Sequence, residues 1–392
     1  MKIFLICGNK YGVGTFVRAR EFARSFNRMG HQVVLGYLGD APFRVACQID
    51  NGVLEIGLPN FLNRYNLDHM ASPIGSIAVN GILSEMRFDV VHGFEHFSVI
   101  HKAGLLSKKL YGSIYVTDWA DWHSIANNRK FFKIPGGKAY LRWLEEKPKN
   151  MADGITAISS LLVNKSLELG KSRDSVLYLP GGAPVDRIKP MDKTSCRKEL
   201  GLPIGNGIFG YVGSFLMNEL IPFISAFSRI ERQDMPLMVV IGKISAELMA
   251  YVKNKGLEER VLLKGFVHED KLSSYLSACD ALLLPMDNNI YNRSRWPNKI
   301  GDYMAAGRPV IASSVGEIPA VFARGDIGIM INSTEKEICQ AMEKIIDNYD
   351  GIQQKFGVNG RKIAEQELSW DIHARKLESF YKYLLDKSQS PR

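Results

Sequence analysis

Two short polar segments contain the residue types best suited to transferring protons and binding hydroxyl groups, and each follows an apolar run. The residues are His92, Glu95, His96, Asp118, Asp121, Trp122 and His123. Histidine and carboxylate side chains act as general acids and bases. An aromatic ring can pack on the apolar face of a sugar ring while carboxylates bind its hydroxyls. We therefore predict catalytic roles for His92, His96 and Asp118, and substrate contacts for the other four.

A glycine-rich turn near the start of the chain can bind an anion. Gly8, Gly12 and Gly14 follow the apolar run Lys2–Cys7 and precede a segment with helical periodicity. Free backbone N–H groups and the helix dipole attract anions at such a place. The spacing of a dinucleotide-binding turn is not met, because the third glycine would fall at Val17. A tight turn without a ligand remains the alternative.

A third polar set lies at the start of a predicted helix in the second half of the chain. Its members are Ser294, Arg295, Asn298, Lys299 and Asp302. The helix is predicted over Lys299 to Ala305, where Gly307 and Pro309 end it, and an apolar strand follows at once. Lys299 lies one turn before Asp302, so a cation and an acid are expected on one side of the helix start. A surface lysine is the alternative for Lys299.

The surrounding pattern predicts an α/β protein with two domains of the doubly wound, Rossmann-like type. Short apolar runs alternate with segments of helical periodicity, which is typical of parallel sheets buried on both faces. Pro and Gly residues over 179–190 mark a linker, after which the alternation restarts. We predict an N-terminal domain over 1–185, a second domain over 186–369, and an amphipathic helix over 370–392 that packs back on the first domain.

Composition narrows the classes of function. The chain has 392 residues and a formal net charge of +9, and its five cysteines are scattered without a C-x-x-C pair. We expect a cytoplasmic protein without a metal or cofactor. Between Lys102 and Lys149, ten lysines and arginines stand against four acids, and aromatic residues that include Phe131, Phe132, Tyr140 and Trp143 lie among them. This segment suits an anionic membrane surface or a phosphate-bearing acceptor. Nucleic acid is excluded as a partner because no binding motif accompanies the charge.

One segment carries a family resemblance. Residues 294–313 read SRWPNKIGDYMAAGRPVIAS, which resembles the donor-site signature of family 4 retaining glycosyltransferases (group 1) of the GT-B fold, commonly E-G-F-P-N-x-x-x-E-A-M-A-x-G-x-P-V-I-A. Weaker similarity extends over nearly the whole chain, through segments that include Phe88–His92, Asp153–Ser159 and Gly210–Gly213. The resemblance implies two Rossmann-like domains that face each other across a cleft, with the donor bound there. It makes residues 1–185 the acceptor-side domain and residues 186–369 the nucleotide-sugar-binding domain.

The resemblance also implies roles for single residues. The second acid of the signature binds the ribose hydroxyls in relatives, and it corresponds to Asp302; the first acid contacts the transferred sugar, and it corresponds to Ser294. Relatives carry cations after the glycine that corresponds to Gly213, where this chain has Ser214 and Glu219. The donor-binding residues are thus expected to be Gly12, Gly14, Gly213, Ser214, Ser294, Arg295, Asn298, Lys299 and Asp302. Glu95, Asp121, Trp122 and His123 would face the acceptor.

The implied reaction moves a glycosyl group from a nucleotide diphosphate sugar, with a UDP-sugar favoured, to an acceptor hydroxyl with retention of configuration. The acceptor would be a saccharide or a lipid-linked compound of the cell envelope. Two alternatives share the fold: a non-catalytic partner subunit and a sugar-nucleotide 2-epimerase. An NAD-dependent oxidoreductase is disfavoured by the glycine spacing.

Overall fold

The chain forms two compact units in the computed structural model, which describes residues 1–60, 73–95, 98–125, 135–213, 217–332 and 334–389. Unit 1 comprises Met1–Pro180, Ser294–Trp296 and Trp370–Arg392, and unit 2 comprises Gly181–Arg293 and Pro297–Ser369. Within the described ranges, none of the helices combines the length and apolar character that crossing a bilayer requires.

Unit 1 is built on an eight-stranded sheet in the order β3-β4-β2-β1-β5-β6-β7-β8. All neighbouring strands are parallel except β3, which pairs antiparallel with β4. The strands are β1 (Lys2–Lys10), β2 (Gln32–Leu38), β3 (Ala46–Asp50), β4 (Val53–Leu58), β5 (Val90–Phe94), β6 (Ile114–Trp119), β7 (Gly154–Ala157) and β8 (Val176–Tyr178).

Helices cover both faces of this sheet, because alternate residues of the central strand β1 point to opposite sides. Ile3 and Leu5 pack in one core with the first and last helices, and Phe4 and Ile6 pack in a second core on the other side. The helices of unit 1 are α1 (Thr15–Arg28), α2 (Pro73–Glu85), α3 (Ser98–Tyr111), α4 (Gly137–Met151), α5 (Ser160–Glu168) and, from the end of the chain, α16 (Trp370–Gln389).

Unit 2 has a six-stranded, fully parallel sheet in the order β11-β10-β9-β12-β13-β14. Its strands are β9 (Ile208–Gly213), β10 (Leu237–Gly242), β11 (Val261–Gly265), β12 (Ala281–Leu284), β13 (Val310–Ser313) and β14 (Gly328–Ile331). Its helices are α6 (Lys193–Leu200), α7 (Ile221–Ser228), α8 (Ala246–Asn254), α9 (Glu269–Ala278), α10 (Ile290–Ser294), α11 (Lys299–Ala305), α12 (Ile318–Phe322), α13 (Glu335–Asp347), α14 (Tyr349–Ile352) and α15 (Val358–Ile363).

The fold class predicted from the sequence is confirmed: the chain contains two Rossmann-like domains with parallel sheets. Helix α11 has the predicted bounds. Strands β3, β4 and β14 were not predicted. β3 is almost entirely exposed and lacks the continuous apolar run that marks a buried strand. Three of the four residues of β14 are partly or fully exposed.

The strand order defines where each sheet can bind a ligand. β1 lies between β2 and β5, and β9 lies between β10 and β12, so the connections leave these central strands in opposite directions. Ligands of open α/β sheets bind at such a switch point, outside the carboxyl ends of the strands. The edges beyond β1 and β5 in unit 1, and beyond β9 and β12 in unit 2, are therefore the places to search.

A buried polar network holds the carboxyl ends of the strands of unit 1 together. The guanidinium group of Arg18, on α1, donates to both carboxylate oxygens of Asp118 at 3.2 and 3.1 Å. It also donates to the carbonyl oxygens of Leu179 and Pro180 at 2.7 and 2.9 Å. Arg18 is 5% exposed and Asp118 is fully buried. Four hydrogen bonds thus compensate the removal of both charges from water.

The network continues from Asp118 to the C-terminal helix. Thr156 donates its hydroxyl hydrogen to Asp118 and lies 3.2 Å from Nε2 of His92, whose Nδ1 lies 2.6 Å from the hydroxyl of Tyr381. Burial, followed by the charge of Arg18, lowers the pKa of His92 well below its usual value. The imidazole is therefore neutral, and both of its nitrogens are used to connect β5 with β7 and α16.

Arg18→Met should lower the free energy of unfolding by about 3–5 kcal/mol, because it leaves the buried Asp118 carboxylate uncompensated. Urea denaturation measures the change. Arg28→Met is the matched control: Arg28 lies on the same helix, and its ion pair with Asp371 is half-exposed, so its loss should cost at most about 1 kcal/mol. The double variant Arg18→Met/Asp118→Leu should recover part of the loss. Equal effects of the two single substitutions would contradict a compensating role for Arg18.

Candidate functional site

Glu95 and His123 form a hydrogen-bonded pair at the carboxyl edge of the unit 1 sheet. Nε2 of His123 lies 2.7 Å from Oε2 of Glu95, which is 6% exposed. Glu95 has a φ of +86°, a left-handed conformation that is uncommon outside glycine and turns its side chain at the end of β5. Burial alone would raise the pKa of Glu95, but the charge and hydrogen bond of His123, with smaller effects of Lys149 and Thr15, lower it. Glu95 is therefore ionised.

Asp121 lies beside this pair and has the opposite tendency. Burial raises its pKa to about 6, against a usual value of 3.8, and the nearby Glu95 contributes to the rise while His123 and Arg295 oppose it. Two neighbouring carboxyl groups whose environments separate their pKa values are typical of acid and base chemistry. The arrangement can accept or donate a proton close to neutral pH.

A buried glutamate fixes the segment that carries Asp121 and His123. The carboxylate of Glu145, on α4, accepts hydrogen bonds from the Trp119 indole at 3.0 Å and from the backbone N–H groups of His123 and Ser124 at 2.9 and 2.8 Å. Lys149, one turn further along α4, is 1% exposed, with its ammonium 5.1 Å from the Trp119 ring centre. The segment after β6 is therefore anchored on α4.

Glu95, Asp121 and His123 are also a potential metal-ligand set. One ligand atom from each lies within 4.8 Å of the others. Two carboxylates and an imidazole suit a divalent transition metal. The Glu95–His123 hydrogen bond and the charge of Lys149 already balance the carboxylates in part, so the cluster is compatible with a role that involves no metal.

The other predicted residues of unit 1 differ in their access to solvent. His92 and Asp118 are fully buried in the network described above, whereas Trp122 is half-buried, with its indole N–H donating to Ser124 at 3.1 Å. His96 lies outside the described residues. Gly12 and Gly14 both have positive φ, at +77° and +58°. The role of Gly12 and Gly14 in donor binding stays a prediction. The catalytic roles of His92, His96 and Asp118 also stay predictions.

At the corresponding edge of unit 2, strands β9 and β10 end in glycines, and Lys299 provides a cation. Gly242, the last residue of β10, has a φ of +124°, and a Cβ there would lie 1.7 Å from the carbonyl oxygen of Gly213. A glycine is therefore required where the backbones of β9 and β10 pack closely at their ends. The ammonium of Lys299 donates to the Tyr211 hydroxyl at 2.9 Å and lies 4.4 Å from the centre of its ring. Lys299 is thus held by a strand whose end lies at this edge.

The residues of the 294–302 segment fall into both units. Asn298 is exposed, Lys299 and Asp302 are half-buried, and all three belong to unit 2. Ser294 and Arg295 belong to unit 1, where the carbonyl oxygen of Ser294 accepts a hydrogen bond from Ser159 at 2.6 Å. Their donor-binding roles stay predictions.

Glu219, at a position where relatives of the resembled family carry a cation, has a structural role. Its Oε1 accepts hydrogen bonds from the side chain of Asn292 at 2.6 Å and from the backbone N–H of Asp287 at 3.2 Å, and the residue is 8% exposed. It fixes the loop that follows β12. Ser214 lies outside the described residues.

Sequence reasoning did not identify Arg18, Glu145, Lys149, Thr156 and Tyr211. A signal exists for the first three. Arg18 is spaced by four from Phe22 and Phe26 on the apolar face of α1, and Glu145 and Lys149 are spaced by four from Leu141 on the buried face of α4. A charge within an apolar stripe indicates a buried, paired group.

Comparison with known proteins finds a family for part of the chain. Residues 206–348 match the model of the family described as glycosyl transferases group 1. This part of unit 2 is therefore similar to the group 1 glycosyltransferases. A curated relative is the N-acetyl-alpha-D-glucosaminyl L-malate synthase of Bacillus anthracis, 26% identical over 235 residues. That match covers 59% of this chain and 59% of the relative's own length.

Solved structures show the same fold as this chain. Sucrose-phosphate synthase from Thermosynechococcus elongatus is similar with a TM-score of 0.77 at 16% identity, covering 99% of this chain and 100% of that one. The Anabaena protein HepE, in complex with UDP and glucose, is similar with a TM-score of 0.75 at 13% identity, covering 98% and 100%. The neighbours are GT-B glycosyltransferases, and the likeness extends over both units.

Glu145→Gln should destabilise the protein by about 1.5–3 kcal/mol, because an amide can accept on one side only and leaves a backbone N–H or the Trp119 indole without its charged acceptor. The neighbouring Glu146→Gln is the control: Glu146 is paired with Arg142 on the surface of α4, and its change should cost less than about 1 kcal/mol. Urea denaturation followed by tryptophan fluorescence measures both. A Glu146→Gln effect as large as that of Glu145→Gln would contradict the anchoring role.

Asp121→Asn should stabilise the protein above pH 6. Because the folded chain binds the Asp121 proton more tightly than the unfolded chain, with a pKa of about 6 against 3.8, the free energy of unfolding decreases as pH rises from about 4 to 6. Removing the carboxylate should abolish this decrease in the free energy of unfolding. The decrease amounts to about 1–2 kcal/mol after allowance for the partial exposure of Asp121. Thermal unfolding at pH 4, 5, 6 and 7 measures it, with Asp40→Asn, an exposed carboxylate, as control. A wild-type curve parallel to that of Asp121→Asn would exclude the raised pKa.

Proposed function

We propose that the protein transfers a hexosyl or related glycosyl group from a UDP-sugar to an acceptor hydroxyl, with retention of anomeric configuration. The product would belong to cell-envelope polysaccharide, glycolipid or glycoconjugate synthesis. The proposal requires neither a metal nor a cofactor beyond the donor nucleotide.

The observation that carries this proposal is the carboxyl edge of the unit 2 sheet. Strands β9 and β10 end at Gly213 and Gly242, which carry no side chains, Lys299 is oriented by Tyr211, and Asp302 lies one turn later on α11. The backbone at the two glycines would face a phosphate group, Lys299 would balance its negative charge, and Asp302 would bind a pair of hydroxyls. A nucleoside diphosphate contains all of these groups.

The comparisons support a sugar donor. The relative from Bacillus anthracis is named as a synthase of a glucosaminyl compound, and the HepE structure contains UDP and glucose. We transfer to this chain only the donor class. The match with the group 1 family covers residues 206–348, which include the whole edge formed by β9, β10 and α11.

In the proposed reaction the bond between the anomeric carbon and the diphosphate oxygen breaks, and the acceptor oxygen forms a new bond on the same face. The electron pair leaves with the diphosphate, whose charge Lys299 and backbone N–H groups would stabilise. The acceptor proton passes to the departing diphosphate or to a carboxylate. Asp302 would bind the ribose hydroxyls, which positions the reacting carbon.

In unit 1 we assign the acceptor to the Glu95, Asp121 and His123 cluster. Its polar groups would bind acceptor hydroxyls, and Trp122 offers a half-buried ring for stacking on a sugar. His92 and Asp118 would act as positioning residues, because Tyr381, Thr156 and Arg18 already use their polar atoms.

We further infer a cytoplasmic protein that associates with the inner face of the plasma membrane. Support comes from α4, where Tyr140 and Trp143 are half-exposed and stack with ring centres 6.0 Å apart among basic residues. Interfacial aromatic rings and cations favour an anionic lipid surface.

A non-catalytic partner subunit is a second candidate, and the use of Glu219 favours it. This acid occupies a cation position of the resembled family and is committed to Asn292 and Asp287, so diphosphate binding loses one cation. A 2-epimerase of the same fold would instead release nucleotide without transfer to an acceptor.

Asp302→Ala should weaken UDP binding at least about tenfold, since one charge-assisted hydrogen bond contributes about 1.5–3 kcal/mol. Calorimetric titration with UDP, GDP, ADP and dTDP and their common sugar conjugates measures this and identifies the base. Asp326→Ala, which removes an exposed carboxylate of unit 2, is the control and should bind as wild type does. If the wild-type protein binds none of the nucleotides, the non-catalytic candidate replaces the transferase.

A further inference from the structure

A long groove runs along the outer face of α4 in unit 1. Its volume is about 1030 Å³. Apolar side chains form much of its surface, among them Trp122, Ile125, Ala139, Trp143 and Met151. Trp143 and Met151 are 50% and 43% exposed. A groove that leaves such large apolar groups in contact with water is suited to an apolar ligand.

The same groove carries positive charge along its length. Lys138, Arg142 and Lys147 line it together with one acid, Glu146, so the net charge of these four residues is +2. Glu146 is already paired with Arg142 at 3.0 Å. The ammonium of Lys147 lies over the Trp143 ring, 4.6 Å from its centre. An anionic group attached to an apolar chain would meet both kinds of contact here.

One end of the groove adjoins the cluster assigned to the acceptor. Trp122 and Ser124 line the groove, and they flank His123, which pairs with Glu95. Glu145, from the buried face of α4, holds this segment by its backbone. A ligand in the groove therefore extends toward Asp121 and His123 along a path that is fixed by α4.

We propose that the α4 groove binds the acceptor substrate, and that this acceptor is an anionic amphiphile: a phosphate-bearing lipid whose chain lies on Trp122 and Trp143 and whose phosphate pairs with Arg142 and Lys147. The inference rests on the proposed transferase function, of which it names the acceptor class. The helix extends over 15 residues, or roughly 22 Å at 1.5 Å per residue, which accommodates an extended alkyl chain.

The test uses the full-length protein and dodecyl phosphate below its critical micelle concentration, titrated by calorimetry and by tryptophan fluorescence. Inorganic phosphate and dodecyl maltoside are the comparison ligands. Dodecyl phosphate should bind at least tenfold more tightly than either, because only this ligand joins the charge to the chain. Equal binding of dodecyl maltoside would reduce the groove to an apolar surface, and equal binding of inorganic phosphate would reduce it to an anion site; either result overturns the proposal.

Variants locate the binding. The double variant Trp143→Ala/Lys147→Ala should bind dodecyl phosphate at least tenfold more weakly than the wild type. The control Lys264→Ala/Phe266→Ala removes an exposed lysine and an exposed aromatic ring from unit 2, and its affinity should change less than twofold. Circular dichroism checks that both variants are folded. Equal weakening by the two variants, or none by the first, contradicts the assignment to α4.

Two further arms separate this inference from others. Vesicles of phosphatidylglycerol that bind through Trp143 and Lys147, in the absence of any binding of monomeric dodecyl phosphate, would assign the face to a membrane surface and overturn the acceptor groove. UDP affinity, measured in the same variants, should be unchanged. Absence of UDP binding by the wild-type protein would instead refute the transferase function. Binding of dodecyl phosphate would in that case still establish the groove as a binding site for an anionic amphiphile.

Discussion

The buried ion pair of Arg18 and Asp118 is the constraint on which the carboxyl edge of the unit 1 sheet depends. Both groups are removed from water, so the pair stabilises the fold only when every oxygen and N–H group around it is hydrogen bonded. This requirement fixes α1 against the end of β6 and against the carbonyl oxygens of Leu179 and Pro180. Through Thr156 and His92 it extends to Tyr381, so a helix at the end of the chain is part of the same network.

Because the ends of the strands are fixed in this way, neighbouring carboxyl groups can be kept in different protonation states. Glu95 is ionised next to His123, whereas burial raises the pKa of Asp121. A mobile segment would let both carboxylates move into water and lose that difference. Glu145 prevents this by accepting three hydrogen bonds from the segment that carries Asp121 and His123, two of them from its backbone. The electrostatics of the cluster thus follow from the anchoring of its backbone.

The sequence allowed the fold class and most of the buried strands to be predicted, since apolar runs and glycine turns report on the periodicity of a parallel sheet. It did not reveal β3 or the partners of the charged residues. Arg18 and Asp118 are 100 positions apart, and Glu145 lies 22 residues from His123. Such contacts depend on tertiary packing. The candidate residues at the strand ends could be predicted from the sequence, because parallel strands place their carboxyl ends at one edge of the sheet. Only the structure shows that His92 is buried whereas Trp122 is half-buried.

The two units use their charged residues differently, and this bears on how a donor would bind. In unit 2, Glu219 stabilises the loop after β12, so in the proposed function Lys299 would carry a larger part of the phosphate charge. A single ammonium held by Tyr211 is a point charge with little geometric specificity. Specificity for the nucleotide would therefore rest on a group whose geometry matters, the carboxylate of Asp302 on α11.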